Sequence, residues 1–183
     1  MPTASASPNS HAKRATSART RTTKKTSREG GQDAIALLKA DHRNVEKLFS
    51  QFEKARGETR KAELARKICL ELRIHTQIEE ELFYPQSREF LQDDDIVNEA
   101  IVEHQAAKDL IEQIEAMEAG EEMFEAKVTV LQEMIEHHVQ EEEKEYFPQV
   151  QKSEMDLKSV GEAMKMRKQE LTAEMGGGIS LTQ

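Results

Sequence analysis

The sequence predicts an all-α protein: an antiparallel up-down-up-down four-helix bundle with an additional C-terminal helix and a disordered N-terminal tail. Apolar residues recur every three or four positions over four long segments, as expected for helices that bury one face. Short connections containing Gly or Pro separate these segments, which places consecutive helices antiparallel. The composition agrees, because Leu, Glu, Lys and Ala favour helices and only 4% of the residues are aromatic.

The ends of the helices follow from Gly, Pro and acidic residues. The four bundle helices are predicted at about residues 33–56, 58–84, 93–120 and 121–147, and the fifth at 153–175. The second and fourth are expected to stop before Pro85 and Pro148, because the residue preceding a proline disfavours the helical conformation. The third is expected to start within Asp93–Asp95, since acids suit a helix N-terminus. The predicted organisation is a basic tail (1–31), the bundle (32–150), the C-terminal helix (151–175) and a flexible C-terminus (176–183).

The first 31 residues differ in charge from the rest of the chain. Seven Lys or Arg and a single acid give them a net charge of +6, which leaves −15 for the remainder of a chain whose total is −9. They show no apolar periodicity, so they cannot bury enough surface to offset the entropy of ordering. We expect a solubilising tail or one that makes non-specific contacts with nucleic acid. A transit peptide is the alternative if the source is eukaryotic.

Cysteine content and hydropathy bear on the location of the protein. Cys69 is the single cysteine, which excludes an intramolecular disulfide and fits a reducing compartment. No apolar run approaches the roughly 20 residues that cross a bilayer. The sequence therefore predicts a cytoplasmic protein without membrane contact, and it identifies no specific protein partner.

A duplicated motif indicates a site inside the bundle. Residues 75–85 read HTQIEEELFYP, and residues 138–148 read HVQEEEKEYFP. Aligned on their prolines, both segments are His-x3-Glu-Glu-x2-aromatic-aromatic-Pro. The matched positions are His75 with His138, Glu79 with Glu142, Glu80 with Glu143, and Tyr84 with Phe147. The bundle therefore resembles two similar hairpins related by a pseudo-twofold axis.

A second pair of histidines is expected at the same height. An acid-His pair occurs in the first helix (Asp41-His42) and in the third (Glu103-His104), about nine or ten residues from the helix start. At about 1.5 Å per residue, all four histidines should lie about 14 Å from one end of the bundle. Each lies on the apolar stripe of its helix, and Glu79 and Glu142 follow one turn after their histidines.

This arrangement predicts a pair of metal ions. Four imidazoles and two carboxylates at one level of an apolar core would be costly without a partner. Neutral imidazoles can each bind one ion and carboxylates can bridge two, which favours iron or manganese over a four-ligand zinc site. A single His-x3-Glu is usually a surface pair, but two copies in one frame indicate a site. The predicted ligands are His42, His75, Glu79, His104, His138 and Glu142.

Neighbouring polar and aromatic residues are predicted to have supporting roles. His137 aligns with Ile74 and is expected beside the core as a structural residue, with ligation as the alternative. Four glutamates are expected on the solvated face or as partners that orient imidazoles: Glu80, Glu81, Glu141 and Glu143. Four aromatic residues are expected to pack the bundle end nearest the site: Phe83, Tyr84, Tyr146 and Phe147.

These motifs resemble the hemerythrin-like (HHE cation-binding) domain over about residues 33–150. The residues that carry the resemblance are Asp41-His42, His75-x3-Glu79, Glu103-His104 and His138-x3-Glu142. It implies two non-haem iron ions in an oxo- or hydroxo-bridged centre, with manganese as the second choice. The four histidines match the family's ligands, and Glu79 and Glu142 match its bridging carboxylates. Ferritin-like bundles use Glu-x2-His instead.

One departure from the oxygen-carrying members affects the expected function. Those members have a fifth histidine one turn from the third-helix ligand, where this chain has Ala100 or Lys108. The centre should be more open, or completed by water, His137 or another carboxylate. The expected function is binding or sensing of O2 or NO, or handling of iron and oxidative stress. The alternative is an oxidoreductase with catalase-like or ferroxidase activity, so the small-molecule partner is a diatomic ligand or a peroxide.

Overall fold

A computed structural model describes residues 32–91 and 95–176, all within one compact unit. The elements are α1 (Ala34–Lys54), α2 (Glu58–Ile78), α3 (Tyr84–Arg88), α4 (Asp95–Glu115), α5 (Phe124–Glu141), α6 (Phe147–Lys152) and α7 (Leu157–Gly176). Two π-helical turns, Glu79–Phe83 and Glu142–Tyr146, join α2 to α3 and α5 to α6. Five continuous helices result, and the predicted all-α fold class is confirmed. The predictions for 1–31, Asp93, Asp94 and 177–183 lie outside the described residues.

Two helical hairpins form the bundle. Helix α1 packs along α2 and α4 along α5, while α2 also contacts α4. Helix α7 packs against α1 and α2. No helix in the described parts of the chain is long and apolar enough to span a bilayer.

Local sequence explains how the first hairpin begins and turns. The Asp33 carboxylate accepts a hydrogen bond from the Ala36 amide at 2.8 Å and so caps the first turn of α1. Gly57, immediately before α2, has a φ of +84°, a conformation that glycine adopts without strain. The connection from Lys54 to Glu58 is therefore short enough to hold α1 and α2 side by side.

The apolar core consists of two clusters, one on each side of a buried polar layer. One cluster includes Leu38, Ile78 and Phe147. The other includes Val45, Leu72 and a series of apolar side chains from α4 and α5. Because the polar positions lie between these clusters along each helix, the packing of the bundle holds them in its interior.

The prediction that two helices stop before their prolines is wrong. The chain remains helical through Pro85 and Pro148, because each proline occupies the second position of a new helical segment. The Tyr84 amide donates to the Glu79 carbonyl and the Phe147 amide to the Glu142 carbonyl, five residues back. The early positions of a new segment need no N–H donor, so proline is tolerated there.

The apolar periodicity also predicts that Ile101 of the third helix and the methionines of the C-terminal helix contact the core, and two of these predictions need correction. Ile101, assigned to the core face of the third helix, is 39% exposed, and the small residues Ala100 and Ala107 are buried instead. Close packing of α4 at these alanines places Ile101 beyond the contact. Of the C-terminal methionines expected in the core, Met164 is fully buried, but Met166 is 65% exposed.

Candidate metal centre

The structure brings the six predicted ligand residues into the polar layer. The residues are His42 on α1, His75 on α2, Glu79 on the first π turn, His104 on α4, His138 on α5 and Glu142 on the second π turn. All six are buried, and Glu79 is completely inaccessible to solvent. Each hairpin contributes two histidines and one glutamate, as the duplicated motif predicts.

The first half of the layer contains four side chains with converging donor atoms. These donor atoms lie within 4.8 Å of one another and belong to His42, His75, Glu79 and Glu142. His42 Nε2 is 3.2 Å from Glu142 Oε2, and His75 Nε2 is 3.2 Å from Glu79 Oε2. Each glutamate thus faces one histidine of this group.

The second half of the layer shares a glutamate with the first. Glu79, His104 and His138 also place donor atoms within 4.8 Å of one another. His104 Nε2 is 3.1 Å from His138 Nε2 and 3.5 Å from Glu79 Oε2. Glu142 Oε2 is 3.6 Å from His138 Nε2, so both glutamates face both halves. This geometry suits two neighbouring cations with shared carboxylates.

Unpaired buried atoms test whether these residues fit metal ions. Within 32–91 and 95–176, every buried side-chain atom found without a hydrogen-bond partner belongs to this layer or to its neighbour Asp41. The atoms are Asp41 Oδ2, His42 Nε2, both ring nitrogens of His75, both carboxylate oxygens of Glu79, and Glu142 Oε2. Such atoms are rare in native proteins because each carries a desolvation penalty. The two clusters are therefore able to bind metal.

Burial favours the neutral, ligating form of two of the four imidazoles, whereas for His138 burial is outweighed by Glu142 and Glu103, which raise the pKa of its ring. Burial lowers the pKa of His75 to about 4 and also lowers the pKa of His104, so both rings are neutral at pH 7 and can donate a lone pair. Burial and the nearby Glu142 raise the pKa of Glu79. Although burial acts in the opposite direction, His138 lowers the pKa of Glu142 to about 2. Without a cation the layer resists holding both glutamates as anions, and bound cations would reverse this.

Each imidazole also faces a carboxylate outside the layer. The Nδ1–oxygen pairs are His42–Glu143 at 2.9 Å, His75–Asp41 at 3.8 Å, His104–Glu80 at 2.9 Å and His138–Glu103 at 2.7 Å. Asp41 and Glu103, the acids of the two acid-His pairs, therefore face a histidine on the neighbouring helix and not the histidine next to them in the sequence. The three pairs at hydrogen-bonding distance fix the tautomer and orientation of their rings, whereas Asp41 faces His75 beyond that distance.

Basic groups hold these outer carboxylates in place. The partners are Lys168 for Asp41, Arg43 for Glu143, Lys108 for Glu80 and His137 for Glu103. The predicted contact with imidazoles is confirmed for Glu80 and Glu143, whereas Glu81 contacts Arg167 and Glu141 contacts His137. His137 has a side chain that is 64% exposed, outside the layer, so it does not complete the centre.

Sequence reasoning missed the contribution of Tyr84. Its hydroxyl donates to Glu142 Oε1 at 3.2 Å and lies 3.3 Å from His104 Nε2. The matched residue Phe147 instead stacks on His42, with ring centroids 5.9 Å apart. The Tyr84 hydroxyl in the second half of the layer therefore has no counterpart in the first half. The mismatch between tyrosine and phenylalanine in the aligned motifs was the available signal.

The surroundings of the layer are apolar on the side away from Tyr84. A small cavity is lined there by Val45, Leu72, Val139 and neighbouring site residues. A groove of about 190 Å³ lies between α4 and α5. Ile135, His104 and His138 line both spaces, so the groove reaches the second half of the layer.

A helical bundle with two adjoining His/Glu clusters in its core defines a metal-binding four-helix-bundle protein. The chain matches the Hemerythrin HHE cation binding domain over residues 33–150, and it belongs to that family. Its fold is similar to the crystal structure of a hemerythrin HHE cation-binding domain-containing protein from Mycobacterium kansasii. The TM-score is 0.69 at 24% identity, with 82% of this chain and 93% of that chain covered.

One curated relative is similar to part of this chain. A DNA nickase from Nostoc sp. is 30% identical over 111 residues, which are 61% of this chain. The aligned segment makes up 31% of the nickase, so this chain spans about a third of that protein.

Proposed function

We propose that this protein is a non-haem di-iron protein that binds or senses O2 or NO, or handles iron and oxidative stress. The observation that carries the proposal is the set of buried, unpaired donor atoms centred on Glu79, which faces both histidine pairs. One ion would be held by His42 and His75 and the other by His104 and His138, with Glu79 and Glu142 shared. Bound iron would supply exchangeable coordination positions and redox electrons.

The route to the layer favours a small ligand of low polarity. The groove between α4 and α5 reaches His104 and His138, and the small cavity next to His42 and His75 is lined by four aliphatic side chains together with site histidines, Asp41 and Thr76. The groove has room for a diatomic molecule or a peroxide, whereas a larger polar substrate would lose hydration without compensating contacts. Ile135, which lines both spaces, is positioned to control passage.

The alternative function is an oxidoreductase with catalase-like or ferroxidase activity. In its favour, the position of a fifth histidine in oxygen carriers is taken here by Ala100 or by Lys108, which is paired with Glu80. His137 is turned outward. Fewer imidazole ligands leave more positions for a reacting molecule, which suits turnover better than simple reversible binding.

Anaerobic reconstitution with Fe(II) tests both functions. We expect about two iron ions per chain, the number that two clusters with shared carboxylates would hold. The visible spectrum is then followed after adding O2, NO or, separately, H2O2. A persistent and reversible spectrum with O2 or NO supports binding, and rapid peroxide loss with oxygen evolution supports the alternative. Fewer than one iron per chain would overturn the di-iron proposal.

We further propose that the basic segment 1–31 makes non-specific contacts with nucleic acid. Its net charge of +6 supports this, since phosphate contacts dominate such binding. Affinity for duplex DNA of arbitrary sequence should fall steeply between low and high salt. Replacing the seven Lys and Arg of the segment with Gln should remove most of the binding, and unchanged binding would contradict the proposal.

A further inference from the structure

We infer that Tyr84 is a direct ligand of the ion held by His104 and His138, an inference that rests on the proposed iron-binding function. The family match extends over this position, but the duplicated motif gives it no polar role: the matched residue in the second copy is Phe147. The inference therefore concerns a feature that distinguishes the two halves of this centre.

The distances around the Tyr84 hydroxyl are those of donor atoms on one ion. Donors about 2.1 Å from an ion and at right angles to each other lie about 3.0 Å apart. The hydroxyl is 3.3 Å from His104 Nε2 and 3.2 Å from Glu142 Oε1. His104 Nε2 is in turn 3.1 Å from His138 Nε2. The phenolic oxygen thus lies where a further ligand of the same ion would lie.

The number of donors in each half agrees with this role. Four His or Glu residues converge within 4.8 Å in the half that contains His42, but only three do so around His104, where Glu142 lies farther out at 3.6 Å from His138 Nε2. Phe147 covers the His42 ring and offers no donor atom. At the equivalent place beside His104, Tyr84 adds an oxygen to the donors that converge in the second half.

Packing holds the hydroxyl at this place. Tyr84 is almost completely buried, and its ring lies against the ring of His104 with centroids 5.5 Å apart. Its amide donates to the Glu79 carbonyl, so the π turn that positions a shared glutamate also positions the phenol. Tyr146 differs, because its hydroxyl contacts the Ser87 hydroxyl and not a site residue.

Binding of the Tyr84 oxygen to a ferric ion needs no oxidant or reductant. As the phenolic oxygen bonds to a ferric ion, its O–H bond breaks and the proton passes to solvent. The phenolate then contributes one negative charge to a site whose other donors are neutral imidazoles and shared carboxylates. Phenolate oxygen is an established ligand type for iron.

The chain offers a matched test, because Tyr84 and Tyr146 are its two tyrosines. The full-length protein, its Tyr84→Phe variant and its Tyr146→Phe variant are loaded with iron and oxidised to Fe(III). We expect a visible phenolate-to-iron charge-transfer band in the wild type and in Tyr146→Phe, with phenolate ring vibrations enhanced in resonance Raman spectra. We expect both features to be absent in Tyr84→Phe.

The outcomes separate this inference from the function on which it rests. A wild type that binds no iron overturns the proposed function. A wild type that binds two irons without the band overturns the Tyr84 assignment alone, as does a band lost in Tyr146→Phe. If Tyr84→Phe fails to fold, a band retained in Tyr146→Phe still assigns the ligand, since Tyr84 is then the remaining phenol. Tyr84→His should keep the iron and lose the band.

Discussion

Two neighbouring histidines on α5 have opposite surroundings. His138 is buried and faces His104 and Glu142 inside the layer. The His137 side chain is 64% exposed and contacts Glu103 and Glu141 on the surface. Because both residues lie on the same turn of the same helix, replacing each in turn distinguishes loss of a metal ligand from loss of an imidazole in general.

Replacing His138 with Ala should reduce iron to about one ion per chain or less, because its ion would lose one of two imidazoles. Replacing His137 with Ala should leave the iron content unchanged. Metal analysis of both reconstituted variants, with circular dichroism to verify folding, measures the difference. Equal iron in the two variants would refute the assignment of ligands on α5.

Glu79 should be the single most sensitive position. It is fully buried and belongs to both donor clusters, so Glu79→Gln removes a charge shared by both proposed ions while preserving shape. We expect iron below one ion per chain after reconstitution. Glu81→Gln is the matched control, because Glu81 faces Arg167 away from the layer and should retain full iron. A Glu79→Gln variant that keeps two irons would contradict the shared role.

The sequence was sufficient to identify the six inward residues but not their partners. Repetition of His-x3-Glu and equal helical offsets locate positions along a helix, which is what spacing encodes. The contacts of Tyr84 with His104, and of Asp41 with His75, cross between helices. They depend on helix rotation and on the π turns, which intrahelical spacing does not specify.

At the scale of the element, α7 lies beyond the family match at 33–150 and contacts Asp41, the carboxylate that faces His75. Lys168 donates to Asp41 Oδ1 at 2.5 Å, and the other oxygen of Asp41 faces the His75 ring at 3.8 Å. Arg167 also pairs with Glu81 of the first π turn. Helix α7 therefore positions the outer partner of a proposed ligand.

Lys168→Met should weaken iron binding at the ion held by His42 and His75. Loss of an outer partner typically lowers metal affinity about 10- to 100-fold, because the ligating ring is less well oriented. Lys165→Met, one turn earlier and exposed, is the control. Chelator competition titrations compare the two variants, and equal affinities would show that α7 does not influence the centre.

Gly161→Ala should loosen the contact between α7 and the start of α1. A Cβ atom at Gly161 would lie 2.6 Å from the Ala34 amide nitrogen, which belongs to the backbone and cannot move alone. Overpacking of this kind destabilises by about 1–3 kcal/mol. At Gly120 a Cβ would meet the flexible Glu58 carboxylate at 2.9 Å, so Gly120→Ala should cost less. Denaturant unfolding of both variants tests the ranking.

The sequence predicted the number and order of the helices well, and their ends less well. Proline was treated as a stop at Pro85 and Pro148, although a π turn allows the helix to continue. These turns begin at Glu79 and Glu142, where the shared carboxylates enter the layer. A register change of this kind leaves no periodic signature, because it inserts a single residue into one turn.

At the scale of the whole molecule, the polar layer divides the apolar core into two clusters. A metal-free chain must then keep the unpaired atoms of His75 and Glu79 buried between them. We therefore expect folding and metal binding to be coupled, since ions that bind the folded layer and not the unfolded chain add their binding free energy to stability.

Removing the metal should lower the melting temperature of the protein substantially. A ligand at about 1,000 times its dissociation constant adds about 4 kcal/mol to the free energy of unfolding, which for a chain of this size shifts the melting temperature by about 10 °C. Calorimetry of the chelator-treated and Fe(II)-loaded proteins under anaerobic conditions measures this shift. His138→Ala should show a smaller shift and His137→Ala the full one, because only the former loses a donor to the layer. Identical melting temperatures of the metal-free and loaded wild type would mean that the buried donors are satisfied without metal. Folding and metal binding would then not be coupled.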